Sequence, residues 1–398
     1  MMNLSRLESS GLFDLNVPRY ISYPTATHFS NAMQADVMSD WLSALDPTTS
    51  ISLYFHISFC RRLCWFCACR TQGLGDDSRL QRYLSALQQE MRLVAQYLPE
   101  GVQVGRIHLG GGTPTLLVPQ QLDSLLSAIG ENFELQKERE FSVEIDPNEI
   151  DCERLDVLVN HGMNRVSIGV QDFDPKIQQA IGREQSFEVT EACIAKCRIR
   201  GVTSLNADIL YGLPYQTEES LERSIEQLMG LNPDRVALYG YAHVPWMTKR
   251  QTMIPQEALP PTRARFLMSE RAKVIFHGGG YAQNDPKIGG YYERIDNGVS
   301  ATTRGHVFSG DDALRARAIE MLLCDFSLDL TSVALEFPDQ SLATIHELID
   351  DVRERFHEWV ELSADRLEIR RDGRPLTRMI AQCFDAYDVA NNAHSSAI

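Results

Sequence analysis

Short apolar segments rich in β-branched and aromatic residues alternate with longer segments of helical periodicity through the middle of the chain. Two of the longer segments, 78–98 and 118–133, repeat apolar residues at the three- and four-residue spacing of amphipathic helices. Strands that alternate with helices pair in parallel, and the helices then cover the outside of the sheet. The pattern therefore predicts an α/β fold, a partial TIM-like (βα)6 barrel. Its strands are predicted at 51–57, 104–109, 140–145, 165–170, 204–210 and 235–241.

The pattern changes near residue 310, where amphipathic helices replace the alternation. Segments 311–326 and 341–362 have helical periodicity, 366–370 has the composition of a short strand, and a last helix is predicted near 375–389. These segments predict a C-terminal helical domain with a wing-like hairpin. The predicted organisation is an N-terminal segment at 1–50, the barrel at 51–305 and the C-terminal domain at 306–398.

Polar or glycine-rich sequence follows every predicted strand of the barrel. A cysteine-rich run follows the first strand, and GGGTPT at 110–115 follows the second. Because barrels of this kind gather their chemistry at the carboxyl ends of the strands, these sites are predicted to share one pocket. The later strands contribute Glu144 and Asp146, Gln171 and Asp172, Asp208 with the YGLP turn at 211–214, and the YAHVP segment at 241–245.

Four cysteines lie within ten residues after the first strand, and the first three have the spacing C-x3-C-x2-C. Soft thiolates so placed suit a [4Fe–4S] cluster in which Cys60, Cys64 and Cys67 hold three irons and leave the fourth open. The main alternative is zinc, although a zinc site more often uses two C-x2-C pairs. The remaining cysteines repeat no such pair; they are Cys152, Cys193, Cys197, Cys324 and Cys383.

Composition narrows the class of protein. The chain has 398 residues, of which 43% are hydrophobic and 23% charged, as in a globular protein with a sizeable core. It shows no apolar run of membrane-spanning length and no signal sequence at its start, so a cytoplasmic protein with reduced thiols is expected. The net charge of −16 argues against a nucleic-acid partner but permits an anionic substrate that meets a local arginine cluster.

Several candidate residues also have an ordinary structural explanation. The triplet at 110–112 leaves backbone N–H and C=O groups free to approach a ligand, although a lone triplet more often forms a tight turn. Glu144 is a candidate for binding ribose or an ammonium group, or a solvated acid at a strand end. Arg183 is a candidate partner for a carboxylate, or a surface arginine. Asp208 lies in an apolar strand and needs a partner, and His56 has a satisfied core histidine as its alternative.

The cysteine run, the GGGTP turn and the six strands together resemble the radical S-adenosylmethionine (radical SAM) superfamily. From about residue 15 to about residue 390 the chain resembles the oxygen-independent coproporphyrinogen III oxidase family within it. Cys69 and the PRYISYPT segment at 18–25 separate that family from haem-chaperone-like and haem-degrading relatives. The resemblance rests on YFHISFC, CWFCAC, IHLGGGTPT, EIDP, RVSIGVQDF, IGREQ, ADILYGLPYQT, LNPDRVALYGYAHVP, PRYISYPTATHF and MIAQCFDAY.

The resemblance implies a reaction, the conversion of coproporphyrinogen III to protoporphyrinogen IX in haem biosynthesis. A [4Fe–4S] cluster on Cys60, Cys64 and Cys67, together with two S-adenosylmethionine (SAM) molecules, would supply a 5′-deoxyadenosyl radical that removes a hydrogen atom from the β-carbon of a propionate. Loss of CO2 and one electron would then leave a vinyl group, at two propionates in turn. Cys69 would be needed for activity without holding the cluster. The N-terminal segment would cover the substrate, and Arg19 would face its carboxylates.

The resemblance also assigns the cofactor contacts. The first SAM would bind the open iron through its amino and carboxylate groups, and Tyr54, Gly111 and Glu144 match positions that contact it. Arg183 would be a further candidate to face the substrate. The second SAM would be contacted by Phe66, Gly112, Thr113, Gln171, Arg183, Asp208 and Ala242.

The implied partners are coproporphyrinogen III, an unidentified electron donor and an unidentified electron acceptor, and the expected state is a monomer. Three alternatives stay open at this point. They are a haem-binding chaperone that keeps the cluster, a haem-degrading radical SAM relative, and an inactive truncated form.

The chain departs from the family pattern at two places. Ser58 stands where the family usually has proline, which should alter only local stiffness. Near 276–284 the sequence passes from AKVIFHGGGY directly into AQNDPKIGGYYERI, and several dozen residues that the family carries are missing. The missing part would include a DHFA segment and a contact to the first SAM, and it would cover the open side of the barrel. Exposed apolar surface is therefore expected there, whereas the six strands should keep the fold.

Overall fold

The structure is a computed structural model that divides into two compact units. The larger unit contains the described residues 36–271, and the smaller contains those up to residue 29 and those from residue 282 onwards. The N-terminal residues thus group with the C-terminal ones, whereas the predicted boundaries at 50 and 305 stay a prediction. The structure describes residues 4–10, 12–13, 23–25, 28–29, 36–271, 282–284, 302–305, 310–338 and 341–387.

The larger unit is built on a six-stranded sheet in which each strand is parallel to its neighbours. The strand order is β1-β4-β5-β6-β7-β8, so each strand lies beside the next one along the chain apart from the short pair β2 and β3. This confirms the predicted α/β fold with six β–α repeats. The strands are β1 (Ser50–Ile57), β2 (Phe59–Cys60), β3 (Gln72–Gly73), β4 (Gln103–Gly111), β5 (Glu134–Ile145), β6 (Arg165–Gln171), β7 (Ser204–Tyr211) and β8 (Arg235–Gly240).

Helices lie between successive strands along the chain, and their apolar faces pack on the sheet. In the helix that follows β3, Asp76 caps the first turn, and the stripe Leu80, Leu84 and Leu87 is buried against the core. The helices of this unit are numbered after α1 (Leu4–Ser9) of the smaller unit. They are α2 (Asp36–Ser43), α3 (Asp77–Ala95), α4 (Pro119–Asn132), α5 (Cys152–Asn160), α6 (Pro175–Ala180), α7 (Phe187–Ile199), α8 (Glu218–Gly230) and α9 (Thr262–Arg271).

The strand register brings the functional segments to one end of the sheet. Ile57 at the end of β1 pairs with Gly111 at the end of β4, and Tyr211 at the end of β7 pairs with Gly240 at the end of β8. The segments that follow these strands therefore begin at the same edge, as expected for a parallel sheet.

Strand β5 begins six residues earlier than the sequence predicts, at Glu134 rather than residue 140. The extra segment, ELQKER, is too polar to be identified as a strand by β propensity. It is extended because β4 pairs with it, Gln103 with Glu134 and Val104 with Leu135.

The smaller unit contains a helical domain with a three-stranded antiparallel sheet, in the order β11-β13-β12. Two further strands, β9 (Ala282–Asn284) and β10 (Thr302–Gly305), pair antiparallel with each other. Together these elements confirm the predicted C-terminal helical domain with a hairpin. The domain consists of α10 (Asp312–Asp325), β11 (Ser327–Asp329), α11 (Leu330–Glu336), α12 (Ala343–Phe356), β12 (Val360–Leu362), β13 (Arg366–Ile369) and α13 (Thr377–Gln382).

Two helices of this domain are shorter than predicted. The helix predicted at 341–362 ends at Phe356, because Val360 begins a strand that pairs with Ile369. The last helix, predicted near 375–389, covers only Thr377–Gln382, and residues from 388 lie outside the described part. Within the described residues, no helix combines the length and the apolar character needed to cross a membrane.

Candidate active site

The four clustered cysteines lie on a loop that closes on itself directly after β1. Phe59 pairs with Gln72 and Cys60 with Gly73 in the short ladder of β2 and β3. The backbone N–H of Leu74 also donates to the carbonyl of Cys60 at 2.9 Å. Residues 60–73, called here the cysteine loop, are thus fixed at their base to the carboxyl end of β1.

The thiols of the cysteine loop differ in exposure. Cys60 and Cys64 are buried, Cys67 is half-buried and Cys69 is exposed, and all nine cysteines of the chain are free. A hydrogen bond from the Cys69 thiol, together with nearby arginines, holds the pKa of Cys67 below its usual range in spite of burial. The Thr113 hydroxyl hydrogen-bonds to the Cys60 sulfur. Among the described residues, no three His, Cys, Asp or Glu side chains converge closely enough to hold a single metal ion.

Arg183 is buried against the cysteine loop. Its Nη1 lies 3.1 Å from Asp146 Oδ2 and donates to the Cys64 sulfur at 3.6 Å. The preceding residue, Gly182, has φ +66°, and a Cβ there would lie 2.8 Å from the ring of Trp65. A glycine is therefore required for the loop to pack on this turn. Asp146 and Cys64 hold one end of the guanidinium, whereas its buried Nε has no hydrogen-bond partner among the described residues. That Arg183 faces a substrate carboxylate therefore stays a prediction.

The glycine turn after β4 packs against β1 and the cysteine loop more closely than any other residue type permits. Gly111 has φ +111°, and a Cβ there would lie 2.7 Å from the His56 ring. A Cβ on Gly112 would lie 2.5 Å from the carbonyl oxygen of Phe59. The N–H of Gly112 donates to the last carbonyl of β1 at 2.7 Å, and that of Thr113 donates to Phe59 at 2.9 Å. The expectation that this turn keeps free N–H groups is thus wrong, because Gly111 donates to Glu144, and Gly112 and Thr113 donate to the two carbonyls just before the cysteine loop.

Glu144 lies at the end of β5, where two donors meet it. Its Oε2 accepts from the Gly111 N–H at 3.0 Å, and its Oε1 accepts from His108 Nε2 at 3.4 Å. Burial opposes its ionisation, but these donors outweigh it and lower the pKa of Glu144. Tyr54 stacks on His108 with a centroid distance of 5.5 Å. Its hydroxyl donates to His56 Nδ1 at 2.9 Å, because His56 Nε2 donates to a carbonyl. Tyr54, Gly111 and Glu144 therefore lie together.

Gln171 and Arg183 converge over Gly169 of β6. A Cβ on Gly169 would lie 3.0 Å from Gln171 Nε2 and 3.0 Å from Arg183 Nη2. Gln171 itself has φ +71°, an uncommon conformation for a non-glycine residue. The guanidinium also donates to the carbonyl of Gly169 at 2.9 Å. This end of β6 is therefore held by the turn that carries Arg183.

Asp208 is half-buried on β7 and is held by neutral donors. Ser167 Oγ donates to its Oδ2 at 3.1 Å, and Asn206 Nδ2 donates to its Oδ1 at 2.8 Å. Burial outweighs these bonds and raises the pKa of Asp208 to about 6. The Asn206 Oδ1 is buried and has no donor within the described part of the chain. The site therefore has unused hydrogen-bonding capacity on this strand.

Asp172 does not belong to the pocket, contrary to the prediction from its position after the fourth strand. Its carboxylate accepts from Gln216 Nε2 at 2.7 Å and from Ser224 Oγ at 3.0 Å. Ser224 lies on α8, so Asp172 ties the end of β6 to the outer helix. Burial raises the pKa of this carboxyl.

Phe66 and Ala242 are brought together by a residue that the sequence does not single out. The carbonyl oxygens of both residues accept from Gln251 Nε2, at 2.8 Å and 3.1 Å. His108 was also missed, although the two-residue period of β4 places it on the same side of the strand as Gly110, next to Glu144. Gln251 lies in the polar run TKRQTM, which carries no such signal.

The chain is similar to known proteins both in sequence and in structure. The sequence profile of the Radical SAM superfamily matches residues 54–228, which include all four clustered cysteines. The oxygen-independent coproporphyrinogen III oxidase of Paracoccus denitrificans is 45% identical to this chain and is aligned over 100% of both chains. The chain belongs to the oxygen-independent coproporphyrinogen III oxidase family.

Further members of the family support this assignment. The anaerobic coproporphyrinogen III oxidase 1 of Cereibacter sphaeroides is 41% identical, again over 100% of both chains. The solved structure of coproporphyrinogen III oxidase (HemN) from Escherichia coli, described as a radical SAM enzyme, superposes with a TM-score of 0.87 at 28% identity. That superposition covers 98% of this chain and 99% of the other.

The family alignment also bears on the predicted gap. The alignment with the Paracoccus denitrificans oxidase spans 454 positions, although this chain has 398 residues, so several dozen positions have no counterpart here. The junction predicted at 276–284 lies outside the described residues except for β9. On β8 and in the segment that follows it, the large side chains of Tyr239, Trp246, Met247 and Met253 are exposed.

Proposed function

We propose that this chain is an oxidoreductase that converts coproporphyrinogen III to protoporphyrinogen IX without oxygen, in haem biosynthesis. The observation that carries the proposal is the cysteine loop. Its free thiols Cys60, Cys64 and Cys67 lie at the carboxyl end of the sheet, in a chain of the oxygen-independent coproporphyrinogen III oxidase family. The single-ion zinc alternative has no support from any of these relatives.

The residues of the loop fit an iron–sulfur cluster. Hydrogen-bond donors are directed at two of the sulfurs, from Thr113 to Cys60 and from Arg183 to Cys64. Such donors favour the thiolate form in which cysteine binds metal, and a buried guanidinium offsets negative charge on the sulfurs. Cys60, Cys64 and Cys67 would hold a [4Fe–4S] cluster. Cys69, which contacts Cys67, would serve the reaction without holding iron.

SAM would bind beside the glycine turn. The Glu144 carboxylate has a lowered pKa, so it offers a permanent negative charge to an ammonium group. Tyr54 and Gly111 lie beside it and would complete the contacts to the first SAM. A second SAM molecule would lie against Phe66, Gly112, Thr113, Gln171, Arg183, Asp208 and Ala242.

The cofactors would supply the carbon-centred radical that removes a hydrogen atom from the propionate side chain. The protein would hold the propionate beside that radical and keep water out. Each propionate loses one hydrogen atom, CO2 and one electron to become a vinyl group. The electron must leave for an external acceptor, and an external donor must reduce the cluster, so both belong among the proposed partners.

Other parts of the proposal follow from the composition of the chain. The nine free cysteines suit the reducing cytoplasm, where we propose the enzyme acts as a monomer. The net charge of −16 argues against a nucleic-acid partner, because nucleic acids are also negatively charged. Of the two candidates to face the substrate carboxylates, Arg183 is buried beside the cysteine loop and Arg19 lies outside the described residues. The matched relatives give no support to a haem-chaperone or haem-degrading function.

An anaerobic assay tests the proposal. The protein is reconstituted with iron and sulfide and supplied with SAM, dithionite, coproporphyrinogen III and an electron acceptor. We expect both 5′-deoxyadenosine and vinyl products by chromatography. A Cys64→Ser variant should lose the cluster and both products, whereas Cys69→Ser should keep the cluster and lose the vinyl products.

The outcomes separate the alternatives. Deoxyadenosine without vinyl product from the unmodified chain would mean that the substrate site was lost with the missing segment. Neither product from protein with an intact cluster would identify an inactive form. Haem retention without deoxyadenosine would favour a chaperone.

A further inference from the structure

The cysteine loop is held on the side of β8 by a short 3-10 helix, Lys249–Met253, that no motif of the chain includes. Gln251 at its centre has no exposed surface. Its Nε2 donates to the carbonyls of Phe66 and Ala242, at 2.8 Å and 3.1 Å, and its Oε1 accepts from the Val244 N–H at 2.5 Å. A single side chain therefore joins the middle of the cysteine loop to the segment that follows β8.

The neighbouring residue fixes a second point of the same loop. Arg250 Nη2 donates to the carbonyl of Thr71 at 2.9 Å, close to the end of the cysteine loop. Thr71 lies next to β3, which the β2–β3 ladder already holds, whereas Phe66 lies between Cys64 and Cys67. The Gln251 bond to Phe66 thus holds the backbone between Cys64 and Cys67, whereas Arg250 acts on the thiols through its charge.

The chemistry of the contact requires glutamine. It uses two N–H donors and one carbonyl acceptor at once, and an amide is the side-chain group that supplies both. Glutamate keeps the length and the acceptor but places a carboxylate against two carbonyl oxygens. Alanine leaves the carbonyls of these two half-buried residues without the amide donor, which is costly where water reaches them only in part.

We propose that Gln251 is a positioning residue that sets the spacing between Phe66 and Ala242 and so shapes the site for SAM and substrate. The proposal rests on the proposed function, because the second SAM molecule belongs to it. Among the described residues, the hydrogen bonds of the Gln251 side chain run to backbone groups and not to a thiol or to Glu144, so it acts through the loop backbone. Its loss should leave cluster assembly intact while it weakens SAM binding and separates deoxyadenosine formation from vinyl formation.

The first test needs no cofactor. Apo-protein is alkylated with iodoacetamide under native conditions, and the rates at Cys64 and Cys197 are followed by mass spectrometry. Both thiols are buried in the larger unit, but Cys197 lies on α7, away from the cysteine loop, and reports global opening. In Gln251→Glu we expect the Cys64 rate to rise about tenfold relative to the Cys197 rate. An equal rise at both thiols, or no rise, would overturn the proposal.

The second test uses reconstituted protein. Gln251→Glu should keep the iron and sulfide content of the unmodified chain, bind SAM about tenfold more weakly in equilibrium dialysis, and form more deoxyadenosine per vinyl group. Gln251→Ala should show the same changes to a smaller extent, because it introduces no repulsion. Unchanged SAM affinity and an unchanged product ratio would refute the proposal.

Two control variants match the changes. Gln256→Glu adds the same charge on the next 3-10 turn, where the side chain is exposed, and should change none of these quantities. Leu228→Ala removes a fully buried side chain on α8 and should lower the melting temperature without altering the product ratio. If Leu228→Ala altered that ratio at equal loss of stability, the effect of Gln251 would be merely structural.

If the unmodified chain forms no deoxyadenosine, the proposed function fails, and the ratio of the alkylation rates at Cys64 and Cys197 still decides the role of Gln251.

Discussion

Glu144 on β5 and Asp208 on β7 are both half-buried carboxylates of the same sheet, and their pKa values move in opposite directions. Burial disfavours ionisation of both groups. At Glu144 a histidine and a backbone N–H of the glycine turn outweigh burial, so its pKa is lowered. At Asp208 the donors are a neutral hydroxyl and a neutral amide, burial prevails, and the pKa rises to about 6.

This difference divides the site by chemistry. The β5 side keeps a negative charge throughout the ordinary pH range and suits a cationic ligand group. The β7 side gains or loses its charge just below neutral pH, and its neighbour Asn206 keeps an unused oxygen. The same sheet thus offers a permanently charged carboxylate on β5 and a carboxylate on β7 whose charge depends on pH.

The largest expected effect comes from the turn that supports Glu144. In Gly112→Ala the new Cβ would lie 2.5 Å from the Phe59 carbonyl and 2.8 Å from the Ile57 carbonyl, both backbone atoms that cannot turn away. We expect a loss of about 3 kcal/mol in the free energy of unfolding and failure of cluster assembly. Urea unfolding and iron content after reconstitution measure the two effects.

Gly130 provides the matched control for that substitution. A Cβ on Gly130 in α4 would meet only Leu135 Cδ1 at 4.0 Å, an ordinary contact. Gly130→Ala should therefore be neutral or slightly stabilising. Normal iron content in Gly112→Ala would contradict the view that the glycine turn holds the cysteine loop.

Neutralising Glu144 should have the next largest effect. Glu144→Gln keeps the shape but removes the charge that would meet the SAM ammonium group. We expect SAM affinity to fall about 100-fold by equilibrium dialysis, with the cluster still assembled. Glu140→Gln, near the middle of the same strand and paired with Arg165, should leave SAM affinity unchanged. Equal effects of the two variants would mean that the position of Glu144 at the carboxyl end of β5 has no special role in SAM binding.

The smallest expected effect concerns Asp208 and appears as a pH dependence. Its folded-state pKa of about 6 exceeds the ordinary value of 3.8, so the folded state binds more protons between these limits. Stability should therefore fall gradually as pH rises through this window. Asp208→Asn should abolish this fall, which urea unfolding between pH 4 and pH 7 would measure.

Asp234 gives the opposite sign and serves as the contrasting variant. The N–H of Leu205 and the Arg198 guanidinium lower the pKa of Asp234, so its contribution is present at neutral pH and is lost as pH falls through the lowered value. Asp234→Asn should therefore flatten the acid side of the stability profile. The same pH response in both variants would mean that burial does not govern Asp208.

The parts of the fold that local sequence determines could be predicted. The six strands follow from apolar runs, and the cysteine loop and the glycine turn follow from motifs of adjacent residues. The pairing of Glu144 with Gly111 could be expected because both lie at strand ends of one parallel sheet. These features depend on contacts between neighbouring strands, and the strand order follows the chain.

The rest depends on contacts between residues far apart in sequence. The start of β5 is set by pairing with β4, and α12 ends at Phe356 because the next residues join a sheet. Gln251 acts on Phe66, which lies 185 positions earlier in the chain, so no local pattern identifies it. The N–H groups of the glycine turn donate to carbonyls of Ile57 and Phe59, which lie far away in the sequence. The local sequence of the turn does not show these acceptors, so the groups were expected to be free.

The most direct test of the account follows a hydrogen atom. Coproporphyrinogen III deuterated at the β-carbons of its propionates is incubated anaerobically with the reconstituted protein, SAM, a reductant and an electron acceptor, and the 5′-deoxyadenosine is analysed by mass spectrometry. The account predicts that deoxyadenosine gains deuterium as vinyl groups appear, which would place the propionate beside the radical in this shorter chain. Unlabelled deoxyadenosine with no vinyl product would contradict it.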